Sequence, residues 1–149
     1  MKPGWLMLAG LALAGACRDA GGRLVTDAMV AGDAITAPLT QTPGDPIRGE
    51  AVFTSREAGH CVLCHRVEGL EAPFQGNVGP DLSAVGARLS PGQMRLRIAD
   101  PTRLWPDTVM PPYHRTSGLH QVAAGHKGEP VLSAQEVEDV IAYLSQLEG

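Results

Sequence analysis

The stretch Cys61-Val62-Leu63-Cys64-His65 constrains this chain more than any other. Two thiols stand three positions apart, and an imidazole follows at once. Such a segment can add both thiols to the two vinyl groups of a haem and aim His65 at its iron. It is the attachment signature of a c-type haem. A structural zinc site is the competing chemistry, and it needs two further ligands. His60, His114, His120 and His126 are the histidines left to supply them, but none forms a second tight pair with another ligand. A redox Cys-x-x-Cys belongs in a βαβ context, which the flanking sequence lacks.

Residues 1–16 read as a signal peptide. Lys2 gives the positive start, Leu6 to Leu13 the apolar core, and Ala14-Gly15-Ala16 the small-residue cleavage site. The apolar stretch is too short to span a bilayer. Export favours disulfides, but thioether bonds to haem use up Cys61 and Cys64. Cys17, the third cysteine, follows the cleavage site directly. Two readings stay open for it: a lipidated first residue, tethering the domain to a membrane, or an incidental residue near ordinary cleavage. Ala14 departs from the leucine usual at lipoprotein sites. The formal charge is −4, and losing Lys2 with the leader leaves −4 − 1 = −5. That balance argues against nucleic acid as a partner. Aromatic residues make up only 4%, so the core is thin unless a large apolar cofactor fills it.

Residues 17–43 read as a linker or N-terminal arm, rich in Ala, Gly, Asp and Thr and without periodicity. Val30, Ile35 and Leu39 are its apolar points, free to lie on the domain or on a partner. The domain itself is expected over residues 44–149. Asp45-Pro46 marks a helix start, cap then proline at the first helical position. Gly49 and Phe53 follow on one face, where a glycine admits close approach of another helix. Ser90-Pro91-Gly92-Gln93 opens a second helix with a capping box, ending before Pro101, with Arg95 and Arg97 expected to face solvent. Ser133 and Glu136 form the box of the last helix, whose stripe is Val137, Val140, Ile141, Leu144 and Leu147. The early acids Glu136, Glu138 and Asp139 suit its dipole. Residues 100–112 read as a proline-rich loop. No convincing strand pattern is present, beyond short extended pieces near Val122 and Val131.

Iron held by His65 alone is open to small ligands; a second ligand closes it and makes an electron carrier. Met110 stands in Val109-Met110-Pro111-Pro112, where two prolines hold the backbone extended and present the thioether. Met110 is therefore the expected second ligand. His114 remains the rival, with His120 and His126 behind it, and Met94 falls in a helix where core packing accounts for it equally. The Gly79-Pro80 turn offers the Pro80 carbonyl as acceptor for the second ring nitrogen of His65, the kind of support a metal-bound histidine needs. Trp105, Arg88 and Arg103 are candidates to meet haem propionates.

With these residues in place the chain resembles the class I cytochromes c. The order of parts is shared: entry helix with Gly49 and Phe53, Cys61 to His65, Gly79-Pro80, methionine loop, closing helix with Tyr143. It is similar in particular to the SoxX family of small monohaem cytochromes, from about Ile35 onward. The stretches 75–82, 85–90, 106–113 and 132–144 carry this likeness, with Met94, Trp105 and His114 as departures. The resemblance implies an all-α class I cytochrome c fold around one covalent haem c, with first and last helices crossed. It implies a periplasmic heterodimer with a larger SoxA-type cytochrome. That complex joins thiosulfate oxidatively to a cysteine of a carrier protein, and the catalytic haem belongs to the larger subunit. This chain then passes electrons to a downstream acceptor and has no catalytic site of its own. A free periplasmic electron shuttle is the alternative.

Overall fold

A computed structural model describes residues 22–124 and 127–149. The leader, Cys17 and His126 lie outside the described residues. Among the described residues four α-helices carry the fold: α1 (Pro46–Thr54), α2 (Val85–Arg88), α3 (Pro91–Ala99) and α4 (Ala134–Leu144). Short 3-10 turns stand at Asp27–Met29, Cys61–Leu63 and Pro101–Arg103. Among the described residues there is no strand, only an isolated bridge between Ala31 and Ala34. None of the described helices is long and apolar enough to cross a membrane.

The caps form where the residue types predict them. The Asp45 carboxylate accepts from the backbone N–H groups of Ile47 and Arg48, and the Ser90–Gln93 and Ser133–Glu136 boxes are both closed. Each cap satisfies N–H groups that have no partner within the helix.

Helix α1 crosses α4 at Gly49. A Cβ added there would stand 2.0 Å from the Asp139 carbonyl oxygen and 2.9 Å from the Tyr143 Cβ. The helices approach so closely only because the side chain is absent. Phe53, one turn on, packs its ring on Tyr143 with centroids 5.5 Å apart and planes tilted by 55°. A Gly49→Ala substitution must push the backbones apart, an overpacking cost of about 3 kcal/mol. Better helix propensity returns about 1 kcal/mol. A net loss of roughly 2 kcal/mol is expected, read as a lower urea midpoint at unchanged slope.

The structure corrects the reading of α3. Arg95 does not face solvent: its side chain is 5% exposed. Its guanidinium donates from Nε and Nη2 to the two carboxylate oxygens of Glu138, at 2.7 and 2.8 Å, and from Nη1 to the Ile35 carbonyl at 2.6 Å. Arg97 is also mostly covered. The cause is the arm, which lies across α3 and hides a face that an isolated helix would show to water. Ile35 and Leu39 are buried in the domain itself. The Ile35 N–H donates to the Gly92 carbonyl at 3.0 Å, and the Leu39 N–H to Glu138 Oε1 at 2.8 Å. These two side chains therefore belong to the domain's own packing and are not available to a partner.

Glu138 and Asp139 do more than favour the α4 dipole. Asp139 accepts from the Asp45 N–H, from Arg48 and from Gln135. Burial works against its charge, yet these donors hold its carboxyl below the ordinary value.

Asp100, the residue after α3, gathers a further cluster. It accepts from Thr102, Arg103 and Arg115. This anchors the start of the 100–112 loop. The loop then returns to α3, where Tyr113 and His114 donate backbone N–H groups to Ile98 and Ala99 at 3.2 and 3.0 Å. Residues 101–112 are thus a closed excursion held at both ends, and Met110 lies on it.

Candidate haem centre

The motif sits on a tight coil. His60 is left-handed with φ 47° and turns the chain into the 3-10 turn Cys61–Leu63. The N–H groups of Cys64 and His65 both donate to the Cys61 carbonyl, at 3.0 and 2.9 Å. Segment 75–80 folds beneath this coil. Gly76 donates to Val62 and Gly79 to Cys64.

His65 Nδ1–H donates to the Pro80 carbonyl at 2.8 Å. That contact places the proton on Nδ1 and leaves Nε2 as the ring's free lone pair. Gly79 supports the ring from one side. A Cβ there would fall 2.3 Å from His65 Cε1, so the imidazole occupies the space a side chain would need. The next residue, Asp81, is tied down by Ser83 and Arg66, which hold its carboxyl down to about 2. Arg88 donates to the Asp81 carbonyl at 2.8 Å.

His65, Cys61 and Cys64 line a cavity of about 600 Å³, within the range of about 300–1,000 Å³ typical of cofactor sites. Val85, Met94, Ile98 and Leu144 supply apolar wall, and the 101–113 loop supplies Met110, Pro111 and Tyr113. The charged residues among the lining are Arg88 and Arg97; no Asp or Glu takes part among the described residues. An apolar plate with two carboxylate arms, attached through two thioethers and bound at iron by an imidazole, fits this donor set. Burial pushes the free Cys61 thiol up to about 12, as expected of a sulfur facing an apolar chamber.

Tyr113 closes the chamber by donating its hydroxyl to the Gly59 carbonyl at 2.8 Å. Burial raises its pKa well above the phenol range, so it remains a donor. This bond ties the methionine loop to the turn that carries Cys61, and nothing local in the sequence announces it.

The candidates separate clearly in space. Met110 lines the cavity; Met94 lines it too, but from α3 and deep in the core. His114 does not line it. Its Nδ1 stands 2.7 Å from the Leu132 carbonyl and its Nε2 3.1 Å from the Arg23 carbonyl, so both nitrogens face backbone carbonyls away from the chamber. His60 borders the cavity and His120 does not. Trp105 and Arg88 line it, whereas Arg103 is turned to Asp100 and Asp27. Arg97, expected in solvent, lines it as well. No three His, Cys, Asp or Glu side chains among the described residues converge on a metal position of their own.

A family model for cytochrome c matches residues 47–148. The chain belongs to the cytochrome c family. It has the class I cytochrome c fold and binds covalent haem c, with Cys61 and Cys64 at the attachment spacing. Among solved structures it is similar to a chain of SoxXA from P. pantotrophus. The two share 32% identity with a TM-score of 0.73, and the match covers 78% of this chain and 91% of that one. The protein is a SoxX-like monohaem cytochrome and its chemistry is electron transfer. No curated protein matches the chain by sequence.

Proposed function

We propose that the protein is the electron-transfer subunit of a SoxAX-type complex in the periplasm, with His65 and Met110 as the two iron ligands. The carrying observation is the chamber that brings the Cys61–His65 motif and the Met110 loop together, in a chain that matches 91% of a chain of SoxXA. The bound haem supplies one-electron redox chemistry. The protein's own residues hold His65 as the Nδ1–H tautomer through Pro80, wall out water with apolar side chains, and fix the methionine loop through Tyr113 and Asp100. The thiosulfate chemistry and its carrier protein belong, in this reading, to the larger SoxA-type subunit, and electrons leave through this chain to a downstream acceptor. If Cys17 is lipidated, the complex is tethered to a membrane.

The partner meets the chain at the mouth of the chamber. Leu63, Val78, Trp105 and Val109 are 59%, 68%, 53% and 81% exposed, and the last three also line the cavity. Exposed apolar residues grouped around a redox centre mark a docking face. Leu63→Asp is expected to weaken the complex at least tenfold, about 1.4 kcal/mol, and to slow electron transfer. It leaves the haem spectrum intact, because Leu63 is not in the core. The measurement is affinity for the larger cytochrome copurified from native periplasm. Full affinity in that variant, or a protein that purifies alone and active as a carrier, replaces the subunit reading with that of a free shuttle.

A further inference from the structure

The pair Asp33–Arg97 joins the N-terminal arm to the wall of the haem chamber. Arg97 lines the cavity and Asp33 does not. The guanidinium lies 5.4 Å from the centroid of the Trp105 ring, another wall residue. It donates from Nη1 to the carbonyls of Gln93 and Asp33, each at 3.1 Å, and from Nη2 to Asp33 Oδ2 at 3.0 Å. Gln93 donates its amide to the same carboxylate oxygen at 2.9 Å. Gln93 and Arg97 together hold the Asp33 carboxyl below its ordinary value, so the pair is fully charged at neutral pH. The Arg97 side chain is 21% exposed and that of Asp33 49%.

We propose that Arg97 and Asp33 are positioning residues that set the reduction potential of the haem, the arm supplying the counter-charge that trims the effect of the guanidinium. Oxidation adds one positive charge inside the chamber. A cation fixed on the wall opposes that step and raises the potential; an anion behind it does the reverse. The two charges do not cancel. Arg97 acts across apolar wall, where a charge is felt strongly, whereas Asp33 stands further out and is screened by water. Arg97 is also held by two carbonyls that remain when the Asp33 charge is removed, so it stays in place without it.

This inference rests on the bound haem and not on the partner, so it is tested on the isolated, haem-loaded full chain equilibrated against redox dyes. Arg97→Gln is expected to favour oxidation about threefold, roughly 28 mV at 59 mV per decade for one electron. Asp33→Asn is expected to shift the potential the other way by a smaller amount. Arg97→Lys, which restores the cation, brings the potential back toward the parent value. An unchanged haem spectrum in all three shows that iron ligation is untouched. Asp33→Asn is exposed and conservative, so it reports even if Arg97→Gln fails to fold. A shift of the same sign in Asp33→Asn and Arg97→Gln, or no shift in Asp33→Asn, overturns the proposal. A free shuttle with no partner gives the same values, so this outcome and that of the docking test are independent.

Discussion

Met110→Ala is expected to open the iron, because Met110 is its proposed second ligand. In the reduced variant carbon monoxide binds at neutral pH, which the parent resists, and the potential falls by at least about 59 mV, tenfold in the one-electron constant. The direction follows from the ligand: a thioether favours ferrous iron and raises the potential of cytochromes c. The loop geometry makes the effect clean. Residues 101–112 are fixed at one end by Asp100 with Thr102, Arg103 and Arg115, and at the other by Tyr113 and His114 on α3. With Met110 as the proposed ligand, truncating its side chain is therefore expected to leave the backbone in place and the coordination position empty.

His114→Ala is the control. Both His114 nitrogens face backbone carbonyls, and its side chain is buried outside the chamber wall. Its loss removes the hydrogen bond that the ring N–H donates to a backbone carbonyl, Leu132 or Arg23 according to the tautomer, and is expected to cost about 1–3 kcal/mol of stability. Carbon monoxide binding and the potential stay at parent values. If carbon monoxide enters His114→Ala and not Met110→Ala, the iron is held by two histidines and the Met110 assignment is lost.

What could be read in the sequence was local chemistry. Asp45-Pro46, Ser90 with Gln93 and Ser133 with Glu136 mark helix starts, because each cap is complete within three or four residues. The haem motif is equally local. Gly49 was legible as a point of helix contact, since its spacing from Phe53 falls on one face. Contacts between distant segments were not. Ile35 and Leu39 stand in a stretch without periodicity; Ile35 is held to α3 through its N–H and its carbonyl, Leu39 to α4 through its N–H, and no pattern signals that. For the same reason the sequence does not reveal the faces of α3. Its sequence shows an apolar stripe, but whether its other faces meet water depends on where residues 22–43 run. Arg95 thus reads as a surface residue and is a core one. The Asp100 cluster is not visible in the sequence, because its arginines lie 3 and 15 positions away. Helix α2, four residues long, is too short to show a period. Gly79-Pro80 reads as a turn, but only the fold shows that the glycine makes room for the His65 ring.

Arg95 and Glu138 give the other large expected effect. Both side chains are nearly sealed from water, at 5% and 7% exposure. Between them they serve the arm at two points: Arg95 donates to the Ile35 carbonyl and Glu138 accepts from the Leu39 N–H. Glu138→Ala leaves a buried guanidinium without its counter-charge and an N–H without an acceptor. Breaking a buried pair in this way costs about 3–5 kcal/mol, against a typical total of about 5–15 kcal/mol for a domain. Arg48, by contrast, pairs with Asp139 from a side chain that is 53% exposed, and Arg48→Ala is expected to cost no more than about 1 kcal/mol. Urea unfolding compares the two directly. The arm should respond before the fold does. In Glu138→Ala, amide exchange at Ile35 and Leu39 rises to the rate of local opening, while α1 and α4 keep their protection. An apolar double replacement, Arg95→Met with Glu138→Leu, recovers part of the loss, because no charge is then left buried. It does not recover the parent's arm protection, since the Ile35 carbonyl and the Leu39 N–H still lack partners. A Glu138→Ala protein as stable as Arg48→Ala would mean that the guanidinium finds water or another acceptor, and that the arm is held by Ile35 and Leu39 burial alone.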